Sequence, residues 1–405
     1  MKKIIKNFYI TKSMVGILVG FFLSCSDLHF KYDNASDIKT PTGLLMYLYA
    51  PTFFANWGGG GSQPRLIFSY ADRIIIASES YSSTAPSVWV STDGITFTKS
   101  SVKLGDCTGS YSSSSSGNIG CIVSAVGYEN GTYAVFGYKT QNSTGSSSTL
   151  ANYFGKGTDL STITVNSTSP GATIGSNQPF IYSSGKFHAY QSGTTNAIYT
   201  TSDGSSWTPY TASFSCSTMY LADSGTPACG LSKYYNGTTW INAGAISGGG
   251  GVVNTSSNSS YLDNAFYAWQ NNSGTLTLYK STSGSITSGV TFPGAADSSI
   301  SLSSSNMRPE KIVKTSGGVY LMYASNWSNN VNTLTWLKST NGTSWSIITP
   351  TFPNELGTVD GIYGLGALGN TFFASVSFKV SASSSNTNSY LMKSTDGQTW
   401  TKVSL

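Results

Sequence analysis

One short phrase constrains this chain more than anything else in it. Ser394-Thr395-Asp396-Gly397-Gln398-Thr399-Trp400 has clear relatives at Ser91-Thr92-Asp93-Gly94 with Phe97, Thr201-Ser202-Asp203-Gly204 with Trp207, and Ser339-Thr340-Asn341-Gly342 with Trp345. Weaker copies are Tyr235-Asn236-Gly237 with Trp240 and Ser281-Thr282-Ser283-Gly284, which runs longer to Phe292; a degenerate one lies around Phe154–Leu160. Self-similarity at a spacing of tens of residues marks an array of one supersecondary unit, none of which can bury its apolar face alone. Asp-Gly and Asn-Gly suit the positive φ angles of a type I′ turn, so each phrase is expected to join two antiparallel strands.

A second hairpin precedes each phrase, with turns near Asp72, Asn130-Gly131, Gly185, Gly225, Asn264, Gly317-Gly318 and Gly369-Asn370. Aligned on these turns, one column reads Ile74, Tyr133, Phe187, Pro227, Phe266, Val319 and Phe372. The column two residues on reads Ile76, Val135, Ala189, Cys229, Ala268, Leu321 and Ala374. Apolar positions at spacing two predict a strand with a buried face. Charged residues are only 10% and aromatics 13%, with Ser, Thr, Asn and Gly between them, which disfavours long helices and favours many short strands. The expectation is an all-β fold, a seven-bladed β-propeller of four-stranded antiparallel blades spanning 43–405.

The phrase resembles the Asp-box (BNR repeat) of sialidase-like propellers, written S-x-D-x-G-x-x-W, with one residue fewer here between Asp and Gly. The resemblance covers roughly residues 62–405. It implies that Asp93, Asp203, Asn341 and Asp396 are turn residues at the blade edge, with the aromatic packing between sheets. The residues preceding the first blade leave ring closure open, because the apolar stretch Gly43–Asn56 could pair onto the first or last blade or pack beneath it.

The N-terminal segment reads as an address. Lys2, Lys3, Lys6 and Lys12 precede an apolar run from Met14 to Leu23, then Ser24 and Cys25, the layout of an export signal. Phe22-Leu23-Ser24-Cys25 resembles a bacterial lipobox, which implies a signal peptide over 1–24, lipidation of Cys25, and a tether over 25–42. The implied location is the bacterial cell envelope, at the outer membrane or cell surface, with the membrane as a partner through the anchor. Those four lysines also carry most of the +5 formal charge. The near-neutral body has three arginines, too few clustered cations for nucleic acid. Cys107, Cys121, Cys216 and Cys229 form two sequence-local pairs, and disulfides persist in oxidising compartments. A zinc site is not expected, since His29 and His188 are the only histidines and no close Cys-x-x-Cys spacing occurs, and no cofactor is expected, since no phosphate loop, EF-hand spacing, H-E-x-x-H or G-x-S-x-G occurs in a confirming context.

Ligands of propellers usually meet the central opening on the face opposite these turns. The loops assigned to that face, 99–120, 139–151, 241–260, 325–335 and 378–389, are polar and carry aromatics such as Tyr111 and Trp327, with Tyr81 in a shorter loop. The starts of the first strands hold Arg65, Ser124, Gln178, Thr218, Ser257, Glu310 and Tyr363, polar side chains suited to lining a wet channel. Arg65, Arg308, Glu310 and Asp360 gather at units one, six and seven, neighbours around a closed ring, and form the candidate ligand-binding patch. The sialidase resemblance would imply three convergent arginines, a tyrosine–glutamate nucleophile and an aspartate acid/base. Arg65 and Arg73 instead fall at opposite ends of one hairpin, Gln63-Pro64-Arg65-Leu66 only distantly matches the family's F/Y-R-I-P, and only Glu79, Glu129, Glu310 and Glu355 could partner a tyrosine. No catalytic residue is assigned. The expected function is binding of glycans or proteins through the loop-rich face, with a sialidase-like glycoside hydrolase and a structural envelope module as the alternatives.

Overall fold

A computed structural model describes residues 63–405 except 81–85, 106–117, 144–145, 169–179, 192–195, 212–215, 217, 250–258, 304–306, 329–330 and 380–386. The expected signal, the tether, Cys25, Cys107, Gly43–Asn56, Tyr81, Tyr111, Gln178 and Ser257 lie outside the described residues. The chain from Gly60 to Leu405 is one compact unit. It is an all-β propeller of four-stranded antiparallel blades. The four-stranded sheets span 63–101, 118–168, 180–211, 219–242, 259–301, 308–348 and 358–402, and are numbered one to seven below. The first strand of each sheet contacts the first strand of the next, and the strand Thr358–Leu368 of sheet seven returns to Gln63–Ser69 of sheet one. The ring therefore closes between sheets seven and one. There Ser375 Oγ donates to the Pro64 carbonyl at 2.6 Å and the Ala367 amide donates to Ser69 Oγ at 3.0 Å. Sheets one and two are also joined where the end of the second strand of sheet one pairs with the first strand of sheet two, Glu79 with Ile122 and Ser80 with Cys121.

The count of units differs from the sequence reading: there are eight sheets rather than seven. The additional one is a three-stranded sheet of Ile246–Ser247, Ser283–Ser285 and Gly289–Thr291, in which Ile246 pairs in parallel with Val290. It grows out of the long connection in sheet five that follows Ser281, the copy of the phrase that runs on to Phe292. Glycine permits this approach of backbones, since a Cβ on Gly289, whose φ is +116°, would stand 2.5 Å from the Ala245 carbonyl oxygen.

The aligned columns are interior, but the second strands are buried on both faces rather than one. Residues 372–378 of Thr371–Lys379 are all buried, as are Ile74, Ile75 and Ile76. Each sheet packs between two neighbours, so a middle strand meets apolar side chains on either side. Phe136 of sheet two, for example, stacks on Phe187 of sheet three with ring centroids 5.6 Å apart.

The repeated phrases are turns, and their geometry is shared. Asp93 Oδ1 accepts from the Ile95 and Thr96 amides, each at 2.8 Å, and from Ser91 Oγ at 2.9 Å; Ser91 Oγ in turn accepts from the Gly94 amide at 2.9 Å. Asp203, Asn341 and Asp396 repeat this set with Thr201, Ser339 and Ser394. The amides of Ile95 and Thr96 hold the Asp93 carboxyl down to about 2. The turns are not the type I′ turns that the sequence suggested: only the glycine has positive φ, +71° at Gly94 and +75° at Gly397, because the side-chain oxygen already ties down the amides that follow. The doubly positive pairs occur instead in the preceding hairpins, at Asn130-Gly131 (48° and 79°) and Asp263-Asn264 (57° and 56°).

Each turn also packs onto the preceding sheet. Trp345 Nε1 donates to the Gly342 carbonyl at 3.1 Å, while the Trp345 amide donates to Ser298 Oγ of sheet five at 3.0 Å. Trp400 does the same with Gly397 at 3.1 Å, and its amide donates to Thr351 O at 2.9 Å. A Cβ on Gly204 would lie 2.4 Å from the Phe154 ring of sheet two.

Several segments expected as loops are strands. Thr132–Ser143 pairs with Ser146–Gly157, and Tyr320–Ser328 with Val331–Ser339, so 139–151 and 325–335 are largely extended hairpins. Their Ser, Thr and Asn composition does not distinguish a strand from a loop. Cys216 and Cys229 form a disulfide with Cα atoms 5.7 Å apart. Cys121 is also disulfide-bonded, its partner being outside the described residues.

Replacing Asp396 by alanine removes the acceptor of two turn amides and is expected to lower unfolding free energy by about 1–2 kcal/mol, the scale of losing a capping side chain. Asp396→Asn is expected to be near neutral, because Asn341 makes the same bonds. Urea unfolding midpoints of the two variants check both outcomes.

Candidate functional site

The candidate residues sit where the first strands are irregular. A β-bulge interrupts pairing at Pro64/Leu66, placing Arg65 on the bulge; at Pro309/Ile312, placing Glu310 and Lys311 there; and at Val359/Gly361 and Ile362/Gly364, placing Asp360 and Tyr363 there. A bulge re-aims a side chain that a regular ladder would fix to one face. These four bulges lie on the first strands of sheets one, six and seven, which contact one another in ring order.

Contacts tie the cluster together across sheets. The Arg65 guanidinium carbon lies 4.4 Å from the centroid of the Tyr363 ring, a cation–π stack between sheets one and seven. Tyr363 stays 36% exposed, enough surface for a ligand to meet. Asp360 Oδ1 pairs with Lys379 Nζ at 2.7 Å and accepts from Ser377 Oγ at 3.4 Å through Oδ2. Glu310 Oε1 accepts from Ser325 Oγ at 2.8 Å. Burial, with the Glu310 charge adding to it, pushes the Tyr323 hydroxyl well above the usual phenol range, so Tyr323 stays protonated. Arg308 is exposed and stands opposite Ser325 in the ladder.

Lys311 was not among the residues singled out from sequence. By surface area its side chain is exposed, yet protein surrounds it closely enough that desolvation lowers its ammonium to about 8. No sequence signal marks it, because the two-residue bulge that turns it is visible only in the pairing register.

Other members of the polar column do different work. Ser124 is buried and donates to the Phe136 carbonyl at 3.3 Å, and Thr218 Oγ1 donates to the Ser259 carbonyl of the next sheet at 3.1 Å. They support the wall rather than line a channel. The arginines do not converge. Arg73 is at the far end of the first hairpin, paired with Asp72 at 2.8 Å and 3.6 Å over the Tyr128 ring. His188 is fully buried, its Nδ1 2.8 Å from Thr200 Oγ1, and burial lowers its imidazole to about 3, so it packs as a neutral ring against Tyr235 and Trp240. Among the described residues no group of three or more His, Cys, Asp or Glu side chains could hold a metal ion.

No family model matches the sequence, and no curated protein matches it. Among solved structures, a glycosyl hydrolase from Bacteroides ovatus aligns over 82% of this chain and 84% of its own, with 12% identity and a TM-score of 0.31. An α-L-arabinofuranosidase from Podospora anserina aligns over 69% and 87%, with 11% identity and a TM-score of 0.31. A thermostable family-43 glycoside hydrolase aligns over 86% and 94%, with 10% identity and a TM-score of 0.33. Likeness at this level is one of fold and carries no argument about chemistry.

The Lys311 environment has a direct readout. With lysines reductively methylated using carbon-13 formaldehyde, one resonance is expected to titrate near pH 8 while exposed lysines titrate near 10.4. That resonance is expected to be missing in Lys311→Met; a wild-type spectrum in which every lysine titrates together would refute the desolvation of Lys311.

Proposed function

We propose that this chain is an Asp-box propeller that binds a carbohydrate at the mouth formed by the first strands of sheets one, six and seven. The observation that carries the reading is the gathering of Arg65, Tyr363, Asp360 and Glu310 on bulges of consecutive first strands. Their chemistry suits sugars: a rigid tyrosine with surface to offer, a guanidinium fixed by stacking, and carboxylates that accept from hydroxyl groups. A second reading, glycosidic hydrolysis, is favoured by the presence of Glu310 and Asp360 on neighbouring strands, since that reaction needs two carboxyl groups flanking one bond. Asp360 argues for binding, because Lys379 at 2.7 Å and Ser377 Oγ at 3.4 Å already hold its two oxygens in place.

The purified full chain on a glycan array, run beside a panel of fluorogenic glycosides, decides between them. Binding without turnover is expected, with affinity at least tenfold weaker in Tyr363→Ala. Turnover abolished by Glu310→Gln or Asp360→Asn would establish the hydrolytic reading instead, and binding indifferent to Tyr363, Glu310 and Asp360 would remove the site.

We further propose that the protein is exported and anchored to the bacterial envelope through a lipid on Cys25, a reading supported by the basic and apolar segments that precede that residue. Radioactive palmitate is expected to label the wild-type chain and not Cys25→Ala; label retained in the variant would disprove the anchor.

A further inference from the structure

The sequence repeats one tripeptide, Asn-Gly-Thr, at Asn130-Gly131-Thr132, Asn236-Gly237-Thr238 and Asn341-Gly342-Thr343. Asparagine followed by glycine readily loses its side-chain ammonia, because no Cβ hinders the approach of the glycine nitrogen to the asparagine Cγ. With the following residues identical, a difference in rate among the three comes mainly from the fold.

The fold holds them in three different ways. Asn341 Oδ1 accepts from the Thr343 and Ser344 amides at 2.9 and 2.8 Å, and the Gly342 amide donates to Ser339 Oγ at 2.9 Å. Its Cγ cannot swing toward the Gly342 nitrogen without giving up those bonds, and the hydrogen on that nitrogen is already committed. Asn236 keeps half of this arrangement. Its Oδ1 accepts from the Thr238 and Thr239 amides at 2.9 and 2.8 Å, but Tyr234 occupies the place of Ser339, so the short hydroxyl that would receive the glycine amide is missing. Asn130 keeps neither half. It is exposed in the two-residue turn between the first two strands of sheet two, with φ of 48° there and 79° at Gly131. Among the described residues no group bonds to its carboxamide or to the Gly131 amide. A Cβ placed on Gly131 would meet no atom within 4 Å, so the turn stands clear of its surroundings.

We propose that the Asn130-Gly131 turn is a site of spontaneous modification, where asparagine converts to aspartate and β-aspartate while the same tripeptide at Asn341 is held intact. The Gly131 nitrogen attacks Asn130 Cγ, the bond from Cγ to the side-chain nitrogen breaks, and ammonia leaves with the proton from Gly131. The product is a cyclic imide. Water, the co-reactant, then opens it: addition at Cγ yields aspartate, and addition at the backbone carbonyl yields β-aspartate. The second product adds a methylene to a turn that sets the pairing of Glu129 with Thr132. Glu129 Oε2 also accepts from the Gly185 amide of sheet three at 3.0 Å. The modification therefore falls beside a bond that joins sheets two and three.

The test follows all three tripeptides in one molecule. The full chain is incubated folded in mildly alkaline buffer, and its peptides are mapped by mass spectrometry, with β-aspartate detected by an isoaspartyl methyltransferase. Asn130 is expected to convert at least tenfold faster than Asn341, with Asn236 between them and β-aspartate forming at position 130. In concentrated urea, where the turns are lost, the three are expected to convert at similar rates. Any other order in the folded chain would overturn the proposal. So would the same gap in urea, which would place its cause in the neighbouring sequence rather than in the turns.

Discussion

The propeller depends on how each repeated turn is pressed onto the sheet before it. The side-chain oxygen of Asp93, Asp203, Asn341 or Asp396 satisfies amides that a tight turn would leave open, so the chain folds back without a partner strand. That frees the glycine and the following aromatic to serve as packing surface. Gly397 abuts Leu321 of sheet six, and Gly342 abuts Tyr267 of sheet five. The same device spans the closure, where Gly94 and Phe97 of sheet one pack on Phe373 of sheet seven. Local hydrogen bonding and inter-sheet packing are thus supplied by one seven-residue phrase. An array without terminal edges needs both at every junction.

A frame stitched at its outer turns leaves its inner strands free to be irregular. The bulges at Arg65, Glu310-Lys311, Asp360 and Tyr363 each sacrifice ladder bonds, and the stacked sheets behind them absorb that cost. Candidate chemistry collects there for the same reason that binding residues often lie off regular elements: a rigid scaffold holds groups that regular pairing would point elsewhere.

The errors of the sequence reading have specific physical sources. The three-stranded sheet escaped because its strands are two or three residues long and one pairing is parallel, contributed by residues 246–247 far from 289–291 in sequence; no periodicity can build in such short runs. The segments 139–151 and 325–335 were read as polar loops because composition does not separate a polar strand from a loop. Lys311 went unnoticed because Glu310 and Lys311 alternate normally in sequence, and only the register shift between Pro309 and Ile312 puts both on one bulge.

By itself the sequence determined the repeating unit, its seven phrases, its hairpin turns and the apolar columns, since each arises from bonds and contacts between residues close along the chain. It also carried the identity of Arg65, Arg308, Glu310 and Asp360 as candidates, through their position at strand starts. Only the tertiary structure decided that Arg65 stacks on Tyr363, that Lys379 claims Asp360, that Ser124 and Thr218 serve the wall, and that an eighth sheet joins the others. Those outcomes depend on pairs separated by up to about three hundred residues, brought together when the ring closes. A local pattern cannot encode the register and curvature that set such distances.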